Sequence, residues 1–127
     1  MDINKFKSLN VLYVEDEIEL RDVTCNSLES IIPNISVAGN GKEGLEVFNS
    51  DDEFDLIVTD LAMPVMSGTE MIKIIRETNS NIPILVTTAF GSQNEEIIEL
   101  EKIGIEGYIM KPVDMMKLIQ KIDEIIK

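Results

Sequence analysis

The chain has no histidine and a single cysteine, Cys25, in 127 residues. Without histidine it cannot run a Ser-His-Asp or Cys-His mechanism from its own residues, and most zinc sites are excluded. One cysteine permits no internal disulfide and fits a reducing compartment. Basic residues are scarce: 11 Lys and Arg stand against 24 Asp and Glu, for a net charge of −13. That balance argues against direct nucleic-acid binding and against docking on an anionic membrane. There is no apolar run long enough to span a bilayer, and the segment Met1 to Lys7 contains no signal-peptide stretch. A soluble, cytoplasmic protein is the expectation, and the start at Met1 suggests that this domain comes first in its protein. Internal linkers, low-complexity segments and solenoid repeats are also missing. Any metal must rest on oxygen ligands, which favours Mg²⁺, Ca²⁺ or Mn²⁺.

What is present suits one domain spanning 1–127, with 44% hydrophobic and 28% charged residues. Short apolar runs recur at Val11–Val14, Ile35–Ala38, Leu56–Val58, Ile84–Val86 and Tyr108–Met110. Continuous apolar character, rather than alternation, indicates strands buried on both faces of a parallel sheet. Helical patterns lie between and after them. Leu20, Val23, Leu28 and Ile31 are expected on one face of the first, Leu45 and Phe48 anchor the second, and Met71, Ile74 and Ile75 mark the third. Ile97, Leu100 and Ile103 mark the fourth, which opens with Ser92 and Glu95 in capping-box spacing and closes at Gly104. Met115, Leu118, Ile122 and Ile125 mark the fifth, with Asp114 as its N-cap. The alternation is (βα)₅, an α/β doubly wound fold with helices on both faces.

In such a sheet, ligands sit beyond the carboxyl ends of the strands. The first run ends in Glu15-Asp16, the third in Thr59-Asp60, the fourth in Thr87-Thr88 and the fifth in Lys111-Pro112. Three carboxylates, a hydroxyl and an ammonium therefore converge on one edge. Carboxylates that close raise one another's pKa unless a cation sits among them. Lys111 supplies one positive charge and a divalent ion supplies the rest. Mg²⁺ favours a few carboxylates, waters and a phosphate oxygen, with Mn²⁺ as the alternative. Asp60 is the expected nucleophile, since a carboxylate can form an acyl phosphate. Mg²⁺ and Lys111 would offset the charge on the phosphoryl oxygens.

Val11-Leu12-Tyr13-Val14-Glu15-Asp16-Glu17, Asp60-Leu61-Ala62-Met63-Pro64 with Ser67-Gly68, Thr88-Ala89, and Tyr108-Ile109-Met110-Lys111-Pro112 together resemble the response-regulator receiver domain of two-component signalling. The resemblance runs from about Leu9 to Ile126, in the family's order and spacing. It implies a CheY-like, flavodoxin-like fold with strand order 2-1-3-4-5. It implies that Asp60 accepts a phosphoryl group from a phosphohistidine on a histidine kinase or phosphotransfer protein. Asp16, Asp60 and the Ala62 carbonyl would bind Mg²⁺, with Glu15 acting through a water. Lys111 would pair with Asp60 and then with the phosphoryl oxygens. Thr88 would swing onto the phosphoryl group and Tyr108 would follow inward, remodelling the surface of the fourth helix, fifth strand and fifth helix for an output domain or downstream protein. Thr87 is a rival one residue away; Thr88 is preferred because Ala89 follows it, as in the family. The Lys111-Pro112 bond is expected to be cis, and the kinase is expected to touch the first helix.

The acidic pair is Glu-Asp rather than the commoner Asp-Asp, a variant that should keep metal binding. Ala62 and Phe90 stand two residues after Asp60 and Thr88, where the family tunes dephosphorylation. Neither can orient a water, so slow self-dephosphorylation is expected. Ile98 lies about 160° from Leu100 on the fourth helix and should point away from the core; an isolated exposed Ile is common and is the favoured reading, and membership of the output surface near Phe90 and Tyr108 is the sharper alternative. Glu95, Glu99 and Glu101 make that helix acidic, which favours a monomer or a weak, phosphorylation-dependent dimer. An aspartyl-phosphate phosphatase would need an Asp-x-Asp motif, which Asp60-Leu61-Ala62 is not. A flavin carrier would need a phosphate loop where acidic Glu15-Asp16-Glu17 stands. An inert scaffold would not need the complete set of site residues. The expected role is therefore a phosphoacceptor switch, not an enzyme in the usual sense.

Overall fold

The computed structural model describes residues 3–50, 52–89, 91 and 93–126. A short helix α1 (Asn4–Lys7) precedes five strand–helix pairs: β1 (Asn10–Val14), α2 (Ile18–Leu28), β2 (Asn34–Ala38), α3 (Gly41–Phe48), β3 (Leu56–Asp60), α4 (Gly68–Thr78), β4 (Ile84–Thr88), α5 (Glu95–Ile103), β5 (Gly107–Met110) and α6 (Met115–Ile125). The strands form one parallel sheet in the order β2-β1-β3-β4-β5. Every residue of β3 and β4 is buried, as their unbroken apolar runs require.

Each face of the sheet buries its own cluster. Val11, Tyr13, Val58, Leu85 and Ile109 pack with Leu28, Leu118 and Ile122 on one face. Leu12, Val14, Ile57, Ile84 and Val86 pack with Met71, Ile75, Ile97 and Leu100 on the other. Phe6 of α1 seals the first cluster, and Lys5 ties α1 to α6 through an ion pair with Asp123. This helical turn has no sequence signal beyond Phe6 itself; its single buried side chain holds it.

Three helix expectations need correction. On α2, Val23 is 62% exposed, whereas Thr24 and Leu28 are buried. The inward stripe runs through Thr24 because the buried Tyr13 hydroxyl hydrogen-bonds to it, so a polar residue outcompetes the more apolar neighbour. Ile31 lies beyond the end of α2 but still packs on the first cluster. On α4, Ile74 is 41% exposed and Ile72 takes the core position, because the buried row is Gly68, Ile72 and Ile75 at helical spacing. At the start of α5 the N-cap is Asn94, whose side chain accepts the Glu96 and Ile97 N–H groups; Ser92 lies outside the described residues. An Asn directly before the apolar stripe can reach two amide donors, which makes it the better cap.

The other boundaries hold. Asp114 caps α6 by accepting from Met116 and Lys117, and Gly104 ends α5 at φ +118°, a conformation that favours glycine. Ile72→Ala should cost about 3 kcal/mol in urea unfolding, and Ile74→Ala less than about 1 kcal/mol. The reverse order would restore the helix face expected from sequence.

Candidate functional site

Side chains two apart on a strand share a face. Glu15 follows Tyr13, Asp60 follows Val58, and Lys111 follows Ile109, so all three rise from one face at the carboxyl edge of the sheet. The Glu15 N–H donates to the Ala38 carbonyl (3.0 Å) and the Lys111 N–H to the Thr88 carbonyl (2.7 Å), which continues the sheet geometry past both strand ends.

The Lys111 ammonium lies between two carboxylates, 3.0 Å from Glu15 Oε1 and 3.1 Å from Asp60 Oδ2. Glu15 is fully buried and Asp60 is 7% exposed. The second oxygen of each is held by backbone: the Glu17 N–H donates to Glu15 Oε2 at 3.2 Å and the Leu61 N–H to Asp60 Oδ1 at 2.8 Å. Asp16, half-buried, completes a set in which one oxygen from each of Glu15, Asp16 and Asp60 lies within 4.8 Å of the others. Three hard oxygen ligands at that spacing fit a small divalent cation such as Mg²⁺.

Burial pushes the Glu15 carboxyl above its ordinary 4.5; the Lys111 hydrogen bond and the Glu17 amide pull it down without cancelling that effect, and Asp60 adds to the rise. Burial would lower the Lys111 ammonium, but its bonds to Glu15 and Asp60 outweigh this and raise it above 10.5. The signs differ in consequence. The Lys111 contribution to stability is present below 10.5 and lost as pH rises through its raised value. Glu15 favours the folded state most when protonated, so its contribution falls as pH rises from 4.5 through its raised value. A cation among the carboxylates opposes that loss.

The loop after Asp60 is shaped by close backbone approach. A Cβ on Gly68 would lie 1.9 Å from the Asp60 carbonyl oxygen, and the Gly68 N–H donates to the Leu61 carbonyl at 2.8 Å. Ser67 and Glu70 form a capping box that starts α4 directly below the site. Val65, 77% exposed, adopts φ +69°, a left-handed conformation that a β-branched side chain resists. The Ala62 side chain is exposed at the head of this loop. The Lys111-Pro112 bond is cis.

Thr88 is buried on the opposite face of β4, the face that carries Val86. Val86 is in register with Tyr108, which packs half-buried on the same cluster. Thr88 and Tyr108 therefore share a face, whereas Thr87 shares the face of Asp60. Phe90 lies outside the described residues. The Ser67–Glu70 box was legible as an S-x-x-E pattern before an apolar stripe but was not singled out; the left-handed Val65 carries no such signal.

The sequence profile of the response regulator receiver domain matches residues 11–123. The chain is 35% identical over 124 residues to the chemotaxis protein CheY-3 of Vibrio cholerae, covering 95% of this chain and 94% of that protein. It is 32% identical to the transcriptional regulatory protein CpxR of Escherichia coli over 92% of this chain, and spans 49% of that protein's length. A CheY-like receiver domain structure from Methanospirillum hungatei superposes with a TM-score of 0.83 at 30% identity, covering 92% of this chain and 93% of that one. The chain spans about half the length of one transcriptional regulator that it matches and nearly all of the chemotaxis protein. It belongs to the response-regulator receiver family, and the acidic cluster of Glu15, Asp16 and Asp60 fits that family's phosphorylation site.

Two outcomes are expected. Asp16→Asn should raise the metal-free stability by about 1 kcal/mol, by relieving like-charge repulsion, and should abolish the rise in Tm that Mg²⁺ gives the unaltered protein. Val65→Gly should stabilise by about 1 kcal/mol in urea unfolding, because the relief of strain exceeds the entropy glycine adds to the unfolded chain.

Proposed function

We propose that this chain is a phosphorylation-driven switch in which Asp60 accepts a phosphoryl group and passes the event to the surface of α5, β5 and α6. The observation that carries the reading is the Lys111 ammonium seated between Asp60 and the buried Glu15 at the carboxyl edge of the sheet. An Asp60 oxygen attacks the phosphorus of a phosphohistidine. The P–N bond breaks, its electron pair leaves with the imidazole, and a P–O bond forms. Lys111 turns to the new phosphoryl oxygens. Glu15, Asp16, Asp60 and the Ala62 carbonyl would hold Mg²⁺, which screens the phosphoryl charge when bound. Thr88 reaches the phosphoryl group with its hydroxyl, and Tyr108 follows inward on the shared face.

The partners that fit are a histidine kinase or phosphotransfer protein, approaching beside α2, and an output domain or downstream protein on the α5-β5-α6 face. That face carries exposed Ile98 and Met110, and an open cavity of about 630 Å³ lined by Tyr108, Met110, Lys117 and Lys121. Exposed Glu95, Glu99 and Glu101 on α5 disfavour self-pairing there and support a monomer or weak dimer. Among the described residues no helix is long and apolar enough to cross a membrane, and the proposed setting is the cytoplasm. Ala62 has no polar side-chain atom to orient a water, so the phosphoryl group is slow to leave.

Intact mass after incubation with acetyl phosphate and Mg²⁺ tests this. One phosphoryl group should be gained, and neither Asp60→Asn nor an EDTA-treated sample should gain it. No gain from acetyl phosphate or from any of several phosphohistidine donors would favour an inert scaffold.

A further inference from the structure

Two buried side-chain oxygens have no hydrogen-bond partner among the described residues, Asp123 Oδ1 and Thr87 Oγ1. Asp123 Oδ1 is ion-paired with Lys5, so of these two the Thr87 hydroxyl is the one left with neither a hydrogen-bond nor an ion-pair partner among the described residues. Thr87 is 3% exposed. A threonine hydroxyl in that state destabilises the fold, and valine has nearly its shape without the oxygen.

Its position is specific. Thr87 pairs in register with Asp60 on β3 and with Ile109 on β5. It follows Leu85 on β4, so its side chain lies on the face that carries Glu15, Asp60 and Lys111. Lys111 starts beyond the end of β5, and β4 lies between β5 and β3. Neighbouring strands are about 4.8 Å apart. To bring its ammonium to Asp60 and Glu15, the Lys111 side chain must cross over β4, where Thr87 stands. An ammonium has three N–H donors; here one goes to Glu15 and one to Asp60.

From this we infer that Thr87 is a positioning residue for Lys111. Resting on the reading of Asp60 as phosphoacceptor, its hydroxyl accepts an N–H of the Lys111 ammonium as the Asp60 oxygen is drawn into its bond to phosphorus and ceases to be a full carboxylate, so the contact is already made in the transition state. The ammonium is then kept over the reacting group rather than being drawn wholly toward Glu15. The assignment is separate from Thr88, which lies on the other face of β4.

The test compares the unaltered protein, Thr87→Val and Thr87→Ser, each with acetyl phosphate and Mg²⁺, following the rate of phosphoryl gain by intact mass and the urea midpoint. Thr87→Val should raise the urea midpoint and slow phosphorylation roughly tenfold, and Thr87→Ser should restore a rate near that of the unaltered protein. A merely structural hydroxyl would give the gain in stability without the loss of rate. If Thr87→Val gains its phosphoryl group at the unaltered rate, or Thr87→Ser is as slow as Thr87→Val, the assignment is overturned while Asp60 stands. If neither acetyl phosphate nor any of several phosphohistidine donors labels the unaltered protein, the phosphoacceptor reading fails and the assignment falls with it.

Discussion

A fully buried carboxylate needs a cation close by, and in this molecule Glu15 has Lys111. An uncompensated charge at that depth would shift the group toward its neutral form. Lys111 reaches Glu15 and Asp60 together, so one ammonium from the end of β5 ties the ends of β1 and β3 across the intervening β4. Three carboxylates against one ammonium still leave an excess of negative charge. The same contact that stabilises the edge therefore leaves it short of positive charge, and that shortage is what a divalent cation and a phosphoryl-transfer step can use.

The rest of the fold serves this edge. The parallel sheet brings residues far apart in the chain to one line, and the two apolar clusters fix the height of each strand end. Gly68 lets α4 begin against the backbone of Asp60, so the loop after Asp60 is held at both ends. The alternation of faces on β4 divides the work: Thr87 faces the Asp60–Lys111 pair, while Thr88 lies with Val86 and in line with Tyr108, toward α5. In the proposed switch, a change at Asp60 would reach the surface of α5 and β5 through Thr88 and that second face.

Much of this was legible in the sequence. Runs such as Leu56–Val58 and Ile84–Val86 are apolar throughout because both sheet faces are covered, and the ends of the first, third and fifth runs carry Glu15 and Asp16, Asp60, and Lys111. Helix faces were harder to read. Val23 and Ile74 are apolar residues that point outward, and Thr24 is a polar residue that points inward to the Tyr13 hydroxyl. Tertiary partners decided these positions, and periodicity within one helix does not contain them. The α5 cap moved to Asn94 for a local reason, the reach of an amide side chain to two backbone donors. The strained Val65 and the unpaired Thr87 hydroxyl were invisible because conformation and satisfaction are properties of the folded chain.

The central claim is chemical: a covalent bond forms at one carboxylate. Borohydride reduces an acyl phosphate of aspartate to homoserine, so the protein treated with phosphoryl donor and Mg²⁺, then reduced, digested and sequenced, reports the site directly. The account predicts homoserine at position 60 alone. Homoserine at position 16, or an unaltered residue 60 in a protein that has gained phosphoryl mass, would contradict it.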